Sequence, residues 1–146
     1  MIEDRFVDPS RALFDTFKAL PRDVPIHMLN LLQFRDAAAY PPGHSHADKQ
    51  LSGAQAYAEY GRTSDPIFKR VGGEIVWRGH MQTMLIGPDD MLWETSFIAA
   101  YPNAGAFLEM VTDPDYQIAV VHRQAAVLTS RLIRFAPLDC GNGGFG

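Results

Sequence analysis

Residues 93–135 constrain this chain more than any other stretch. They read as a strand over 93–101, a Pro102–Asn103 corner, a short helix, a second helix opening at Asp113–Pro114, and a closing strand led by Ser130–Arg131. Aspartate accepts hydrogen bonds from the free amides of a helix start, and proline at the first helical position loses no bond there. With the segment before it, the order becomes strand, helix, strand, strand, helix, strand. At 146 residues this order fills one domain. A chain of that size buries about 70% of its unfolded surface and needs no covalent staples.

Upstream, Asp8–Pro9 predicts a helix opening, with Leu13, Phe17 and Leu20 on one face and Pro21 as its stop. Residues 25–35 are mostly apolar and suit a strand buried on both faces better than an amphipathic helix. Residues 36–50 form a polar loop carrying Pro41, Pro42, Gly43, His44 and His46; connections that long are often functional or mobile. Ser52 and Gln55 have the spacing of a capping box. Tyr57, Tyr60, Ser64, Phe68 and Val71 then share one helical face, Pro66 predicts a bend, and Gly72–Gly73 ends the helix. Residues 74–86 and 92–101 predict an antiparallel hairpin that turns at Gly87–Pro88–Asp89–Asp90. Ile75, Trp77, Met81, Thr83 and Leu85 would share one face of it, and Val76, Arg78, His80, Gln82 and Met84 the other. Asn103 caps a helix to about residue 111 and Asp113 another to about residue 128, and residues 131–136 make the last strand. The organisation expected is a helical extension over 1–24, an α+β domain over 25–136 and a flexible glycine-rich tail over 137–146.

Net charge narrows the partners. A formal charge of −4 without a basic stripe argues against nucleic acid. No apolar run approaches the ~20 residues that span a bilayer. The acidic start, Met-Ile-Glu-Asp-Arg, lacks the basic and apolar regions of a secretory signal. The single cysteine, Cys140, excludes an internal disulfide and fits a reducing compartment. A cytoplasmic protein without nucleic-acid or membrane partners is the expectation.

A βαββαβ order sets two helices on one face of a four-stranded antiparallel sheet, the ferredoxin-like arrangement. The remaining sequence is too short to cover the other face. A second copy is the natural cover, and two such sheets packed face to face make a two-fold dimeric α/β barrel. A homodimer is therefore expected. The residues also carry a resemblance. Met28-Leu29-Asn30-Leu31-Leu32-Gln33-Phe34-Arg35, Ser52-Gly53-x-x-Ala56-Tyr57-x-x-Tyr60 and Gly72-Gly73-x-x-Val76-Trp77-Arg78-Gly79 lead it. Ile86-Gly87-Pro88, Trp93, Tyr101-Pro102, Ala106-Phe107, Asp113-Pro114-Asp115-Tyr116, His122-Arg123 and Ser130-Arg131-Leu132-Ile133 continue it. Over about residues 26–135 the chain resembles the domain of unknown function 1330 family, within the dimeric α/β barrel superfamily. The resemblance implies that fold and a dimer, and no reaction. The superfamily includes cofactor-free monooxygenases, isomerases and haem enzymes, so fold does not choose among them.

Candidate site residues are polar groups on otherwise apolar elements. Asn30 must find partners if buried, either a ligand carbonyl or carboxylate or its own backbone surroundings. Arg78 and His80 share a predicted strand face that Arg35 could approach, giving an anion contact and a catalytic acid or base; the alternative is pairing with Glu94 or a symmetry mate. His122, mid-helix near Ile118, Ala119, Ala125 and Ala126, is either a catalytic proton relay or a bonded core histidine. Arg123 suits a structural tie. Tyr57, Tyr60, Trp77, Trp93 and Tyr101 would line a pocket for a small, partly apolar organic ligand, or simply fill the core. His44, His46 and Asp48 offer three candidate ligands where structural zinc needs four, so no metal is assigned. Haem would rest on His122 alone, and no P-loop, serine elbow or dinucleotide fingerprint is present; no cofactor is assigned. A pocket for a small molecule with cofactor-free acid–base or oxygen chemistry is the first reading. A non-catalytic dimeric binding or interaction module is the alternative.

Overall fold

The computed structural model describes residues 5–145; the acidic start at 1–4 and the last tail glycine, Gly146, lie outside them. In chain order the elements are α1 (Arg11–Ala19), β1 (Ile26–Phe34), α2 (Gly53–Arg70), β2 (Glu74–Gly79), β3 (Thr95–Tyr101), α3 (Ala104–Thr112), α4 (Pro114–Ala126) and β4 (Val127–Phe135). The sheet runs β2-β3-β1-β4, and each neighbouring pair is antiparallel. The chain is α+β with a ferredoxin-like fold; α3 and α4 together form the second helical connection. Among the described residues no helix is long and apolar enough to cross a membrane.

The helix ends follow local chemistry. Ser52 and Gln55 exchange backbone and side-chain bonds at 2.8 and 3.1 Å, completing the capping box of α2. At its other end Gly72 takes φ +90°. The Gly72 and Gly73 amides bond back to the Lys69 and Phe68 carbonyls at 3.0 and 2.8 Å, the glycine-terminated cap that a side chain would strain. Asn103 and Asp113 cap α3 and α4 through bonds from the Ala106 and Asp115 amides. At α1 the cap is Ser10, not Asp8: its hydroxyl accepts from the Leu13 amide at 3.2 Å.

Two strand expectations need correction. First, the hairpin is not tight. β2 stops at Gly79 because the Trp77 ring folds over that glycine; a Cβ there would meet it at 2.6 Å. Beyond it, the His80 Nδ1 bonds the Glu94 carbonyl at 2.7 Å, and residues 80–94 leave the sheet. A register shift between Ile75 and Trp77 also resets the alternation. Ile75 opposite Ala99 faces the helices, whereas Trp77 opposite Ile98 faces away. Second, β4 begins at Val127, directly after α4. The Ala126 and Ala125 carbonyls, free at the helix end, accept from Arg35 and Ala39 at 2.8 and 2.9 Å, which stops the helix before residue 128.

The core lies between the sheet and α2, α3 and α4. Ile26, Met28, Asn30 and Leu32 are buried on that side of β1. The opposite row of β1, expected to be buried too, is only half-buried in the single chain. On that open face Trp77, Phe135 and Ile133 keep 49%, 48% and 39% of their surface. α2 meets α4 and the end of β1 through small residues: Gly53, Ala56 and Ala126 are all buried. A Cβ on Gly53 would collide with the Arg35 carbonyl oxygen and stand 2.8 Å from that of Ala126. Gly53→Ala is expected to lower unfolding free energy by about 1–3 kcal/mol, the usual cost of overpacking. Urea unfolding measures it, and unchanged stability would contradict the contact.

Candidate functional site

Three groupings of polar and aromatic side chains stand out. The first lies between sheet and helices. Asn30 sits on β1 between Met28 and Leu32, which belong to separate apolar clusters; Tyr60 packs on the first cluster and Tyr57 on the second. The Asn30 amide nitrogen donates to the Met28 carbonyl at 3.1 Å, and its oxygen accepts from no described residue. The Tyr57 ring packs between Phe34 and Tyr60, with centroids at 5.2 and 5.3 Å. Its hydroxyl bonds no described residue. The Tyr60 and Tyr116 hydroxyls pair at 2.8 Å. Burial pushes the Tyr57, Tyr60 and Tyr116 hydroxyls up, with Arg123 pulling the other way; these phenols keep their protons. Arg78 also acts on Tyr57, consistent with its register opposite Phe97, level with Asn30.

The second grouping joins the 36–50 loop to the helices. The His122 Nδ1 and the Tyr40 hydroxyl are 2.7 Å apart. The rings of His46 and His44 stand edge-on to His122 at 4.8 and 5.7 Å, and Tyr40 stacks on His44 at 4.8 Å. The His46 Nε2 lies 3.3 Å from Glu59, which also binds Arg62 at 3.0 and 3.1 Å. Bonds from Arg62 and then His46 hold the Glu59 carboxyl down at about 2. Burial, then the charges of His46 and His44, hold His122 below the ordinary imidazole range. The His44 Nδ1 accepts from the His46 amide at 3.0 Å, so in the neutral ring the proton sits on Nε2 and that nitrogen offers a metal no lone pair. Among the described residues no three His, Cys, Asp or Glu side chains are arranged to hold a metal ion.

The third is a cleft of about 260 Å³ on the open sheet face, lined by Trp77, Gly79, His80, Met81, Trp93 and Ser96. A carbonyl only accepts, so the His80 Nδ1 at Glu94 carries the proton and the neutral ring keeps its lone pair on Nε2. The Arg131 guanidinium lies over both the Trp93 and Phe6 rings, at 5.3 and 4.9 Å.

The residues named from sequence are thus divided. Asn30, Tyr57, Tyr60 and Arg78 share the helix side, whereas Trp77, Trp93 and His80 lie across the sheet from them. The five aromatic residues expected to line one pocket do not enclose one space; Tyr101 is buried on the helix side, in the cluster on which Tyr60 packs. The early end of β2 removes the face that Arg78 and His80 were expected to share. Arg35 lies five residues beyond the level of Asn30 and Arg78, about 16 Å along the strand, and its Nε is buried without a partner. Arg123 ties the N-terminal segment down, reaching the Val7 carbonyl and the Ser130 hydroxyl. Tyr40 and Glu59 were not singled out from sequence. The available signal was two histidines beside a tyrosine in a long loop, and nothing local says that the loop folds onto a helix 82 positions away.

A family model for a domain of unknown function, DUF1330, matches residues 44–134. The chain belongs to that family. A protein of unknown function from Rhodopseudomonas palustris is 51% identical over 93% of this chain and 99% of its own, with a TM-score of 0.85. Two solved structures at 16% identity share the fold. One is described as a DABB family protein with a ferredoxin-like fold, from Mesorhizobium loti (TM-score 0.51, 79% of this chain and 98% of its own). The other is SnoaB, a cofactor-independent oxygenase from Streptomyces nogalater (TM-score 0.50, 80% and 95%). No functionally curated protein matches this family member's sequence.

The depressed His122 pKa has a thermodynamic consequence. The unfolded chain takes up this proton at higher pH than the folded one. Its contribution to stability is complete above about pH 6.5 and falls as pH drops from there through the folded value. Titration of the imidazole signals by NMR is expected to place His122 below the ordinary range, with unfolding free energy falling over the same window. A His122 midpoint at or above the ordinary value would contradict the packing described.

Proposed function

We propose that this family member binds a small, partly apolar organic molecule between its sheet and α2, as one subunit of a cytoplasmic homodimer. The supporting observation is the pair of polar groups left without protein partners in packed surroundings, the Tyr57 hydroxyl and the Asn30 amide oxygen. Among the described residues Arg35 Nε is the fully buried side-chain nitrogen or oxygen left unpaired, so these two atoms keep some solvent contact, which a ligand carrying a hydrogen-bonding group beside an apolar body would replace. Asn30 orients that group, Arg78 supplies positive charge, and Tyr57 and Tyr60 form the wall. His122 is the residue we assign to move a proton, because Tyr40 bonds its ring and, like Tyr57, packs against the cluster of Leu32, Ala56, Ala126 and Val127. His80, Trp77 and Trp93 belong to the open-face cleft, which a second copy would close.

The dimer is supported by the open face itself, where the apolar row of β1 and the rings of Trp77 and Phe135 meet solvent in a single chain. Chemistry on the ligand without a cofactor is the enzymatic form of this reading. SnoaB, a fold relative, is described as an oxygenase of that kind. A non-catalytic module is the rival, favoured by the pairing of Tyr60 with Tyr116 and of His80 with Glu94.

Native mass spectrometry of protein isolated gently from its host tests the pocket. The expected result is a bound small molecule, retained by wild type and reduced at least about tenfold in occupancy in Tyr57→Phe, the loss that one hydrogen bond represents. Spectra of bare protein under conditions that keep the fold would favour the non-catalytic module.

A further inference from the structure

The 36–50 loop meets the helices through the Ala39–Ala125, Tyr40–His122 and His46–Glu59 contacts, and its own fold includes one bond that depends on an imidazole being neutral. Within it, the His44 amide donates to the Pro41 carbonyl, the Ala47 amide to that of His44, and the Lys49 amide to that of His46, at 3.1, 3.0 and 3.2 Å. The remaining link is different in kind: the His46 amide donates to the ring Nδ1 of His44 at 3.0 Å. That nitrogen can accept only while unprotonated. Adding a proton puts two N–H groups face to face at bonding distance. It also places a cation beside the rings of His46 and His122, at 5.4 and 5.7 Å.

We propose that residues 40–49 form an acid-released strap: protonation of His44 breaks its bond with the His46 amide, and the strap lifts away from His122. Tyr40 and His46 of the strap and His122 of α4 stand against the His44 ring. Lys49 of the strap and Glu59 of α2 meet His46, and Arg62 of α2 pairs with Glu59. Glu59 stays ionised, and its contact with His46 at 3.3 Å does not require His44 to be neutral. The charge-sensitive bond is therefore that of His44, and the strap swings on its Glu59 contact. Release parts the Tyr40 hydroxyl from the His122 ring and opens both to solvent. It depends on the packing of the strap alone and not on a ligand, so it stands or falls separately from the pocket reading.

Hydrogen–deuterium exchange on the full chain tests this. Between about pH 7.5 and 5.5, either side of the ordinary imidazole pKa, the His46, Ala47 and Lys49 amides are expected to lose protection by about tenfold or more. The comparison is corrected for intrinsic exchange, and amides of β1 serve as the unchanged reference. His44→Asn places an amide oxygen where Nδ1 stands and does not titrate, so its strap is expected to keep the same protection at both values. Equal protection of the wild-type strap at the two values would overturn the proposal, as would an acid loss in His44→Asn as large as in wild type. Should that variant fold poorly, long-range nitrogen–proton NMR of the wild-type rings decides. A His44 proton on Nε2 at the higher pH supports the strap, and one on Nδ1 overturns it.

Discussion

The structure depends on the burial of β1. This central strand, paired on both edges, carries apolar residues on both faces, while the chain provides helices for only one. Ile26, Met28 and Leu32 are shielded by α2, α3 and α4. Leu29 and Leu31 look the other way, alongside Ile98 and Ile133 by register. At about 25 cal/mol per Å² of apolar surface removed from water, leaving that second face wet forfeits a large share of the stabilisation available to a chain of this size. The proposed dimer answers that deficit, and with it the open-face cleft beside Trp77 and His80 becomes an interface feature.

The covered face has its own economy of space. α2 and α4 approach the sheet closely because Gly53, Ala56, Ala125 and Ala126 contribute little volume. That closeness is what lets the Arg35 and Ala39 amides reach the end of α4, and so what anchors the loop leading to His44 and His46. The N-terminal segment is fastened on the other side of the same helix. Arg123 and Ser130 bind the Val7 and Phe6 carbonyls, and the Phe6 amide reaches the Thr129 hydroxyl. Side chains of α4 and β4 thereby satisfy backbone groups of residues 6 and 7 and fasten that segment beside the edge strand.

Much of the fold was legible because its signals are local. Ser52 with Gln55, Gly72 with Gly73, Asn103, and Asp113 with Pro114 each act within a few residues, and each helix end they mark is found there. The failures came where distant atoms decide. The Trp77 ring over Gly79, and the bond from His80 to Glu94, end a strand that period alone would extend. The carbonyls at the end of α4 find amides from the 36–39 stretch, so the helix yields to β4 earlier than its composition suggests. The candidate site was less legible still. Asn30, Tyr57 and Tyr60 lie on the helix side of the sheet, but Trp77 changed sides through the register shift that follows Ile75. The imidazole grouping needed a loop to close on a helix far along the chain, and no residue spacing encodes that approach.

The account turns on whether the outward row of β1 is ever left in water. Sedimentation equilibrium of the full chain, at neutral pH and across a range of micromolar concentrations, asks this directly. The expected result is a species of twice the chain mass that persists on dilution, and that a charge placed on the open face, as in Leu29→Glu, converts to single chains. A stable, compact single chain at every concentration would contradict the account.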